Sequence, residues 1–237
     1  MGFTERSLLG FATNPNVGAV VVVSLGCETI QGRRLAKRIG EFGQTTEFAG
    51  IQQLGGSTNA VERGRAAVAR LYEILAPQKR VAAPVAELRV GVHPAPDSDG
   101  HAERLVEQAL DTGASVVVAG RWPAATELAY GERAHTRLAA IPDPGLGSER
   151  DVALAAAGAQ IIVSFAGPGE APTGLATCPV IAVGLDPESF AALEEDFDMD
   201  GSGDIWPHVL LVFDGAPSAS ERRGARDFVL IRIARTM

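Results

Sequence analysis

A valine-rich run near the N-terminus, from Ala19 to Leu25, constrains the fold more than any other feature of the sequence. A continuous β-branched run of this kind is typical of a strand that is covered on both faces in a parallel sheet. Helical spacing follows from Gln31 to Glu41, where Leu35 and Ile39 fall on one face. Strands that alternate with helices predict an α/β architecture, with mainly parallel sheets and flanking helices.

The same alternation continues along the chain. Further strands are predicted at residues 47–53, 88–92, 114–119, 160–165 and 179–184, and further helices at 57–75, 101–110, 121–131, 149–157 and 188–195. Residues 204–213 fit a strand or a helix, because the periodicity does not separate the two. Residues 227–233 are predicted to be an extended tail.

The long helix at 57–75 is amphipathic and is followed by a break in the pattern. One apolar stripe runs along it, formed by Val61, Val68, Leu71 and Leu75. A helix that packs on a core buries such a stripe. Since the strand–helix pattern restarts after residues 77–84, we predict two Rossmann-like βαβ sub-domains, residues 1–84 and residues 85–237, the second carrying the tail.

Charge and cysteine content exclude several classes of protein. The net charge of -8 argues against a nucleic-acid or anionic-membrane partner, since both attract basic surfaces. Two cysteines, Cys27 and Cys178, are too few for a disulfide scaffold and fit a reducing compartment. The longest apolar run is far shorter than a membrane span, and we expect no signal peptide. We therefore expect a cytoplasmic protein with neither a membrane nor a nucleic-acid partner.

Three polar or Gly-rich loops follow predicted strands, at residues 24–32, 52–59 and 166–170. Ligands of parallel sheets collect at the carboxyl ends of strands, where backbone N–H groups can hold a carboxylate or phosphate. The same residue types also serve turns, so each loop alone favours a turn. Taken together, they make a shared anion pocket an equally good interpretation.

Two further features leave alternatives open. Cys27 could be a nucleophile, a metal ligand or a buried small apolar side chain, and the last is the commonest. The segment Asp196 to Asp204 fits the first positions of a calcium loop, but Pro207 stands where the closing glutamate is needed. We therefore predict a solvated acidic turn, with Asp204 as a candidate helix cap.

Several blocks of sequence resemble one family. The run Asn14-Pro15-Asn16-Val17-Gly18, the following Leu25-Gly26-Cys27-Glu28 with Gln31, and then Ile51-Gln52-Gln53-Leu54-Gly55-Gly56-Ser57-Thr58 are similar to segments of the altronate and galactarate dehydratases. Residues 165–169, 179–181, 196–200 and 220–228 resemble later blocks of the same family, in the same order. The first two blocks together are the most specific.

The resemblance implies a hydro-lyase that acts on a small sugar acid and depends on a divalent metal, iron or manganese. In such a reaction a base removes the proton α to a carboxylate, and the β-hydroxyl leaves as water. By position, the resemblance implies Glu28 and Cys27 as catalytic residues and Glu28, Asp198 and Asp200 as metal ligands. It implies a substrate site formed by Gln31, Gly55, Gly56, Ser57, Asn59, Gly167 and Gly169.

The sequence departs from the family pattern at the expected centre of the active site. The family's upstream Gly-rich loop has no counterpart, and His93 to Gly100 replaces its Cys-Gly-Gly-Ser-Asp motif. Arg121 stands where a carboxylate is expected, and Pro168 where an arginine is expected. We therefore expect that this chain alone is not a competent dehydratase.

Three hypotheses follow for the function. In the first, a second polypeptide supplies the missing upstream segment and completes a lyase. In the second, the protein is a non-catalytic relative that binds a small acid or scaffolds an assembly. In the third, it is a generic anion-binding α/β domain. A homodimer is also expected, because a truncated sheet leaves a strand edge or an apolar face that needs cover.

Overall fold

Two parallel sheets organise the chain in the computed structural model, which describes residues 2–95, 98, 100–143, 145 and 147–230. The smaller sheet pairs β1 (Ala19–Ser24) with β2 (Thr45–Gly50). The larger sheet has the order β5-β6-β4-β3-β7-β8. Its strands are β3 (Arg89–His93), β4 (Ser115–Ala119), β5 (Thr126–Glu127), β6 (Leu138–Ile141), β7 (Ile161–Ala166) and β8 (Val180–Gly184). The predicted α/β class with parallel sheets is confirmed.

Helices cover the faces of the sheets. They are α1 (Phe3–Ala12), α2 (Gly32–Glu41), α3 (Ser57–Leu75), α4 (His101–Asp111), α5 (Gly147–Ala156), α6 (Pro187–Ala192), α7 (Ile205–Phe213) and α8 (Ala219–Arg223). The main core lies on both faces of the large sheet. Helices α4 and α7 pack against one side of β3, β4 and β7, and α5 packs against the other. Complete burial of β7 and β8 follows from this coverage.

Helix α1 joins the two sheets. One side of α1 packs on α5, where Gly10 lies against the backbone of Ala156. The other side places Leu9 in a cluster with Leu35 and Ile39 of α2. Just beyond the helix, Asn14 is buried and bonds to the C-terminal end of α5 and the turn after it. The segment before β1 is therefore held by the half of the chain that contains the large sheet.

The expectation that β1 is covered on both faces is wrong. Val20 and Val22 pack with α2, but Val23 on the opposite face is 57% exposed. Within the described residues β1 pairs with β2 alone. Helix α3 lies on this second face and contacts both strands, but it leaves Val23 in an open groove beside it.

The apolar stripe predicted for α3 is also wrong in part. Leu71 of that stripe is buried, but Val61 and Val68 are 54% and 57% exposed. The buried face of α3 instead carries Ala60 and Ala67. Small side chains let α3 approach the sheet closely, and the valines lie to one side of that contact.

Other local expectations meet mixed outcomes. Residues 121–131 were expected to be helical, but they contain β5 instead, which pairs with β6. Residues 204–213 resolve as α7, and Asp204 caps it by accepting the Trp206 N–H at 3.3 Å, as predicted. Residues 231–233 of the expected tail lie outside the described residues.

Candidate functional site

The loops after β1 and β2 lie side by side. The pairing of the two strands continues into the loops, since the Ile51 N–H donates to the Ser24 carbonyl at 2.8 Å and the Gln52 N–H to the Leu25 carbonyl at 3.2 Å. A Cβ on Gly26 would lie 2.5 Å from Oε1 of Gln52, so the glutamine side chain lies directly over this glycine. Two of the three predicted loops therefore meet at the carboxyl end of the small sheet.

Glu28 is the charged centre of these loops. Its carboxylate accepts hydrogen bonds from the Ser24 hydroxyl and, at 2.5 Å, from the Gly26 N–H. The Ser24 bond is the largest of several causes that lower the pKa of Glu28 below its usual value. The side chain is exposed and ionised at neutral pH. It can accept hydrogen bonds from a ligand or contact a cation, but its lowered basicity makes it a weak general base.

A cation lies at the same end of the small sheet. The Arg33 guanidinium sits 4.5 Å from the centre of the Phe48 ring and donates to Oε1 of Gln53 at 2.5 Å. Stacking on an aromatic ring and a bonded amide hold this side chain in one orientation. The carboxyl end of the small sheet therefore presents a positive group, Arg33, and a negative group, Glu28, and each is held by contacts within the protein.

The other two predicted residues near β1 differ from expectation. Cys27 is exposed, so its commonest interpretation as a buried apolar side chain is wrong. Gln31 is the residue that precedes α2, and its side chain makes no capping bond. With Glu5 and Arg34 it lines a separate cavity of about 390 Å³.

The double-glycine loop uses its polar groups to hold a turn. Gly55 and Gly56 have φ of +79° and +136°, which favour glycine. The Gly56 N–H donates to the Ile51 carbonyl at 3.0 Å, and the Asn59 amide to the Leu54 carbonyl at 2.7 Å.

Ser57 opens α3 and lines an apolar groove beside that helix. The Asn59 bond supports the turn interpretation for that residue, and no side chain at the N-cap of α3 bonds the first turn of the helix.

The third predicted loop has its N–H groups occupied by protein acceptors. The Gly167 N–H donates to Oε2 of Glu170 and the Gly169 N–H to the Ser189 hydroxyl, both at 3.0 Å. Gly167 also lines a cavity of about 510 Å³ together with Asp200.

Two aspartates of the acidic segment, Asp198 and Asp200, accept hydrogen bonds from other groups of the protein. The side chain of Asp198 is fully buried, and it accepts the Ala182 N–H at 2.9 Å and the Ala219 N–H at 2.7 Å. It thereby fastens β8 to the start of α8. Asp200 accepts the Ser202 hydroxyl at 2.7 Å and the Ser202 N–H at 3.0 Å, and these bonds lower its pKa. This is the local turn that the sequence predicted.

The predicted site residues fall into two groups. Glu28, Ser57 and Asn59 belong to the loops of the small sheet, and Gly167 and Asp200 to the large one. Gly167 and Asp200 line one cavity and Ser57 lines another, and neither of these two cavities contains residues of both groups. Nor do three or more His, Cys, Asp or Glu side chains of the described part of the chain come close enough to hold a metal ion.

A buried polar cluster that the sequence did not reveal lies at the carboxyl end of β3. His93 is 3% exposed, and its Nε2 lies 2.9 Å from Nη1 of Arg150. Because arginine only donates, Nε2 accepts and the ring proton resides on Nδ1. That nitrogen lies 3.1 Å from Oδ1 of Asp151 and 3.0 Å from the Ser164 hydroxyl.

Further bonds fix this cluster at both ends. Arg150 forms a bidentate pair with Asp143 at 2.6 and 2.9 Å, which lowers the pKa of that carboxyl. Asp151 accepts the Thr173 hydroxyl. The cluster borders a cavity of about 260 Å³ lined by His93, Ser164 and Thr173 among others. His93 on β3 and Ser164 on β7 are paired in the register of these two adjacent strands. Sequence spacing does not show this pairing.

The comparison with protein families gives one match. Residues 1–76 match the model described as the second domain of D-galactarate dehydratase/altronate hydrolase. The match covers about a third of the chain, and over that segment the protein is similar to the second domain of this family. This confirms the resemblance over the segment that contains Glu28 and the double glycine.

Other comparisons add little. No curated protein matches the chain. A solved structure of D-2-hydroxyisocaproate dehydrogenase aligns over 76% of this chain and 76% of its own, with 8% identity and a TM-score of 0.24, which is too low to support an argument. In the described residues no helix is both long and apolar enough to cross a membrane.

Proposed function

We propose that this chain is a component or a diverged homologue of a sugar-acid dehydratase, a carbon–oxygen lyase of the altronate/galactarate type. The observation that carries the proposal is the family match over residues 1–76, which includes the paired loops around Glu28. The small sugar acid binds at the edge formed by these loops. The free cysteines Cys27 and Cys178 support a reducing, cytoplasmic location.

The charged groups at the carboxyl end of the small sheet suit a hydroxylated acid. The carboxylate of such a ligand would pair with Arg33, since a guanidinium binds carboxylates through two parallel hydrogen bonds. Its hydroxyl groups would donate to Glu28, which stays ionised because of its lowered pKa. In this arrangement Glu28 orients the ligand, and it is not the base that removes the α-proton.

The implied iron or manganese does not fit the described residues of this chain alone. Asp198 is occupied by backbone N–H groups, and Glu28 does not line the cavity that contains Asp200. We propose that a second polypeptide brings the metal ligands and the base, so that the complete lyase is a complex of two chains.

A specific observation favours a second candidate. The weak basicity of Glu28 and the engagement of Asp198 also fit a non-catalytic subunit that binds a small acid or scaffolds an assembly. The two candidates share the ligand site and differ in turnover, which makes binding and turnover separate measurements.

Thermal unfolding with a panel of aldonic and aldaric acids tests the ligand site. At about 100 times the Kd a ligand stabilises by about 2.7 kcal/mol, which raises the Tm by roughly 5–10 °C for a chain of this size. Glu28→Gln should reduce this shift strongly. Glu132→Gln is the matched control, because Glu132 also accepts a backbone N–H in an exposed loop, at 2.9 Å from Ala129.

A keto-acid assay then separates the two candidates. The isolated chain should show no turnover with iron or manganese, and turnover well above background would contradict the incomplete site. Turnover restored by a co-purified second chain would support the lyase component. A Tm shift without turnover in any complex would support the non-catalytic subunit, and no shift with any acid would refute the ligand site around Glu28.

A further inference from the structure

An uncovered apolar groove of about 800 Å³ runs along β1 and α3. Its apolar lining comes from one face of β1 and one flank of α3, and includes Val21, Val23, Ile51, Val61, Val68 and Tyr72. Four of these side chains are more than half exposed: Val23 (57%), Val61 (54%), Val68 (57%) and Tyr72 (71%). Isolated apolar side chains on a surface are ordinary, but a contiguous patch marks an interaction site.

The groove lies at the open edge of the small sheet. Arg70 of α3 pairs with Glu47 of β2 at 2.8 Å, so this flank of α3 lies over β2. Each residue turns a helix by about 100°, which puts Val61 and Val68 on the other flank of α3, toward β1. In the described chain β1 has a partner on one side only. The apolar flank of α3 and the open edge of β1 therefore lie next to each other.

We infer that a second copy of this chain covers the groove, in a two-fold symmetric dimer. A two-fold axis perpendicular to the sheet brings β1 antiparallel to its mate, which satisfies the open backbone groups of both strands and makes one four-stranded sheet. The same axis sets the two α3 helices antiparallel on one face of that sheet. Val61, Val68 and Tyr72 of one copy then pack against the same flank of the other.

Gly64 supports close approach of the two helices. It lies on α3 between Val61 and Val68, and a Cβ added there would meet no atom within 4 Å. In an isolated chain a mid-helix glycine destabilises the helix with no compensating contact. In the dimer it leaves room for a side chain of the other helix.

The geometry favours a copy of this chain over a foreign strand. An occupant must present an open strand edge and, on the same side, an apolar helix flank, and the chain's own β1 and α3 do so in matching arrangement. The exposed apolar side chains amount to on the order of 400 Å² per chain, so two copies bury roughly 800 Å² of them. The proposed interface therefore requires the backbone edges of β1 and the rim residues to supply the rest of the roughly 1,200–2,000 Å² that stable interfaces bury. The inference does not depend on the proposed function.

Sedimentation and light scattering on the full chain test the dimer. Wild-type protein at about 50 μM should have the mass of a dimer, and Val68→Asp and Tyr72→Arg should each shift the mass to that of a monomer. Leu211→Asp is the matched control, because Leu211 on α7 is also 57% exposed but lies outside the groove. Circular dichroism confirms that each variant is folded. Hydrogen exchange should show Val20 to Val23 protected in the dimer and exchanging faster in the Tyr72→Arg monomer.

Each other outcome overturns the inference. Wild-type protein that is monomeric up to about 200 μM refutes the dimer, whether or not another protein occupies the groove. A dimer that survives both groove substitutions, or that Leu211→Asp dissociates equally, forms through a different surface. A dimer whose β1 amides exchange as fast as in the monomer does not pair through β1.

Discussion

Asn14 offers a sharp test of how the N-terminal segment is held against the large sheet. Its side chain is 1% exposed and makes three hydrogen bonds to backbone groups. The amide donates to the carbonyls of Ala155 at 2.8 Å and Ala159 at 2.7 Å, and its oxygen accepts the Asn16 N–H at 2.9 Å. Asn14→Ala removes all three without changing the backbone.

The expected loss of stability depends on which hydrogen bonds each backbone partner of Asn14 keeps in the variant. Ala155 keeps a bond from the Gly158 N–H at 3.0 Å, so its carbonyl remains paired. The Ala159 carbonyl loses its side-chain donor in a buried position, which costs about 1–3 kcal/mol. The two other bonds add about 0.5–1 kcal/mol each. We expect Asn14→Ala to lower the free energy of unfolding by about 3 kcal/mol, and the Tm by roughly 6–12 °C.

Urea unfolding followed by circular dichroism measures this loss, and Asn16→Ala is the control. Asn16 also bonds a backbone carbonyl, that of Gln160 at 2.8 Å, but it is exposed, so its removal should cost less than about 1 kcal/mol. Hydrogen exchange should show α1 loosened in Asn14→Ala alone. Equal losses in the two variants would refute the argument that burial makes the Asn14 bonds strong.

Thiol alkylation followed by mass spectrometry should label Cys27 alone in the native protein, because burial raises the pKa of the Cys178 thiol to about 12; labelling of Cys178 without denaturant would contradict this. Gly10→Ala should destabilise by about 2–3 kcal/mol, since the new Cβ would overlap the α5 backbone, whereas Gly40→Ala meets open space and should be neutral or slightly stabilising in paired urea titrations. The lowered pKa of Glu28 means that its stabilising bonds are present above its unfolded pKa and are lost as pH falls through its folded pKa. Glu28→Gln should therefore flatten the acid side of the stability curve, and an unchanged acid side would count against these bonds.

Long elements could be predicted because their patterns are local. The helix at 57–75 has the predicted bounds, and β4, β7 and β8 lie within a residue or two of their predicted ranges. Their apolar runs reflect burial between two layers of helices, which depends only on the strand itself.

Elements that depend on a distant neighbour could not be predicted. Helix α1 buries Ser7, Leu9 and Gly10, of which only Leu9 is a large apolar side chain, so the buried face does not form an apolar stripe in the sequence. Strand β5 has two residues and exists because β6 lies beside it. The short helix α8 did leave a signal, since Ser218 and Glu221 form a capping box.

The candidate site divides in the same way. The two loops around Glu28 could be placed together because consecutive parallel strands end at one edge. The separation of Glu28 from Asp200 could not be foreseen, because it depends on β1 and β8 belonging to different sheets. The cluster at His93 likewise depends on the strand order, which puts β7 next to β3.

The two apolar stripes of α3 explain why a correct helix was given the wrong buried face. Ala60, Ala67 and Leu71 form one stripe, and Val61 and Val68 form another, turned by about 100° around the helix axis. Periodicity favours the valines because they are larger apolar side chains than alanine, yet contact with the chain's own sheet is made by Ala60, Ala67 and Leu71. A helix that packs on a single sheet has no use for the second stripe, and exposed valines contribute nothing to its stability. The second stripe therefore indicates a second contact surface, and the open edge of β1 determines the direction from which that contact comes.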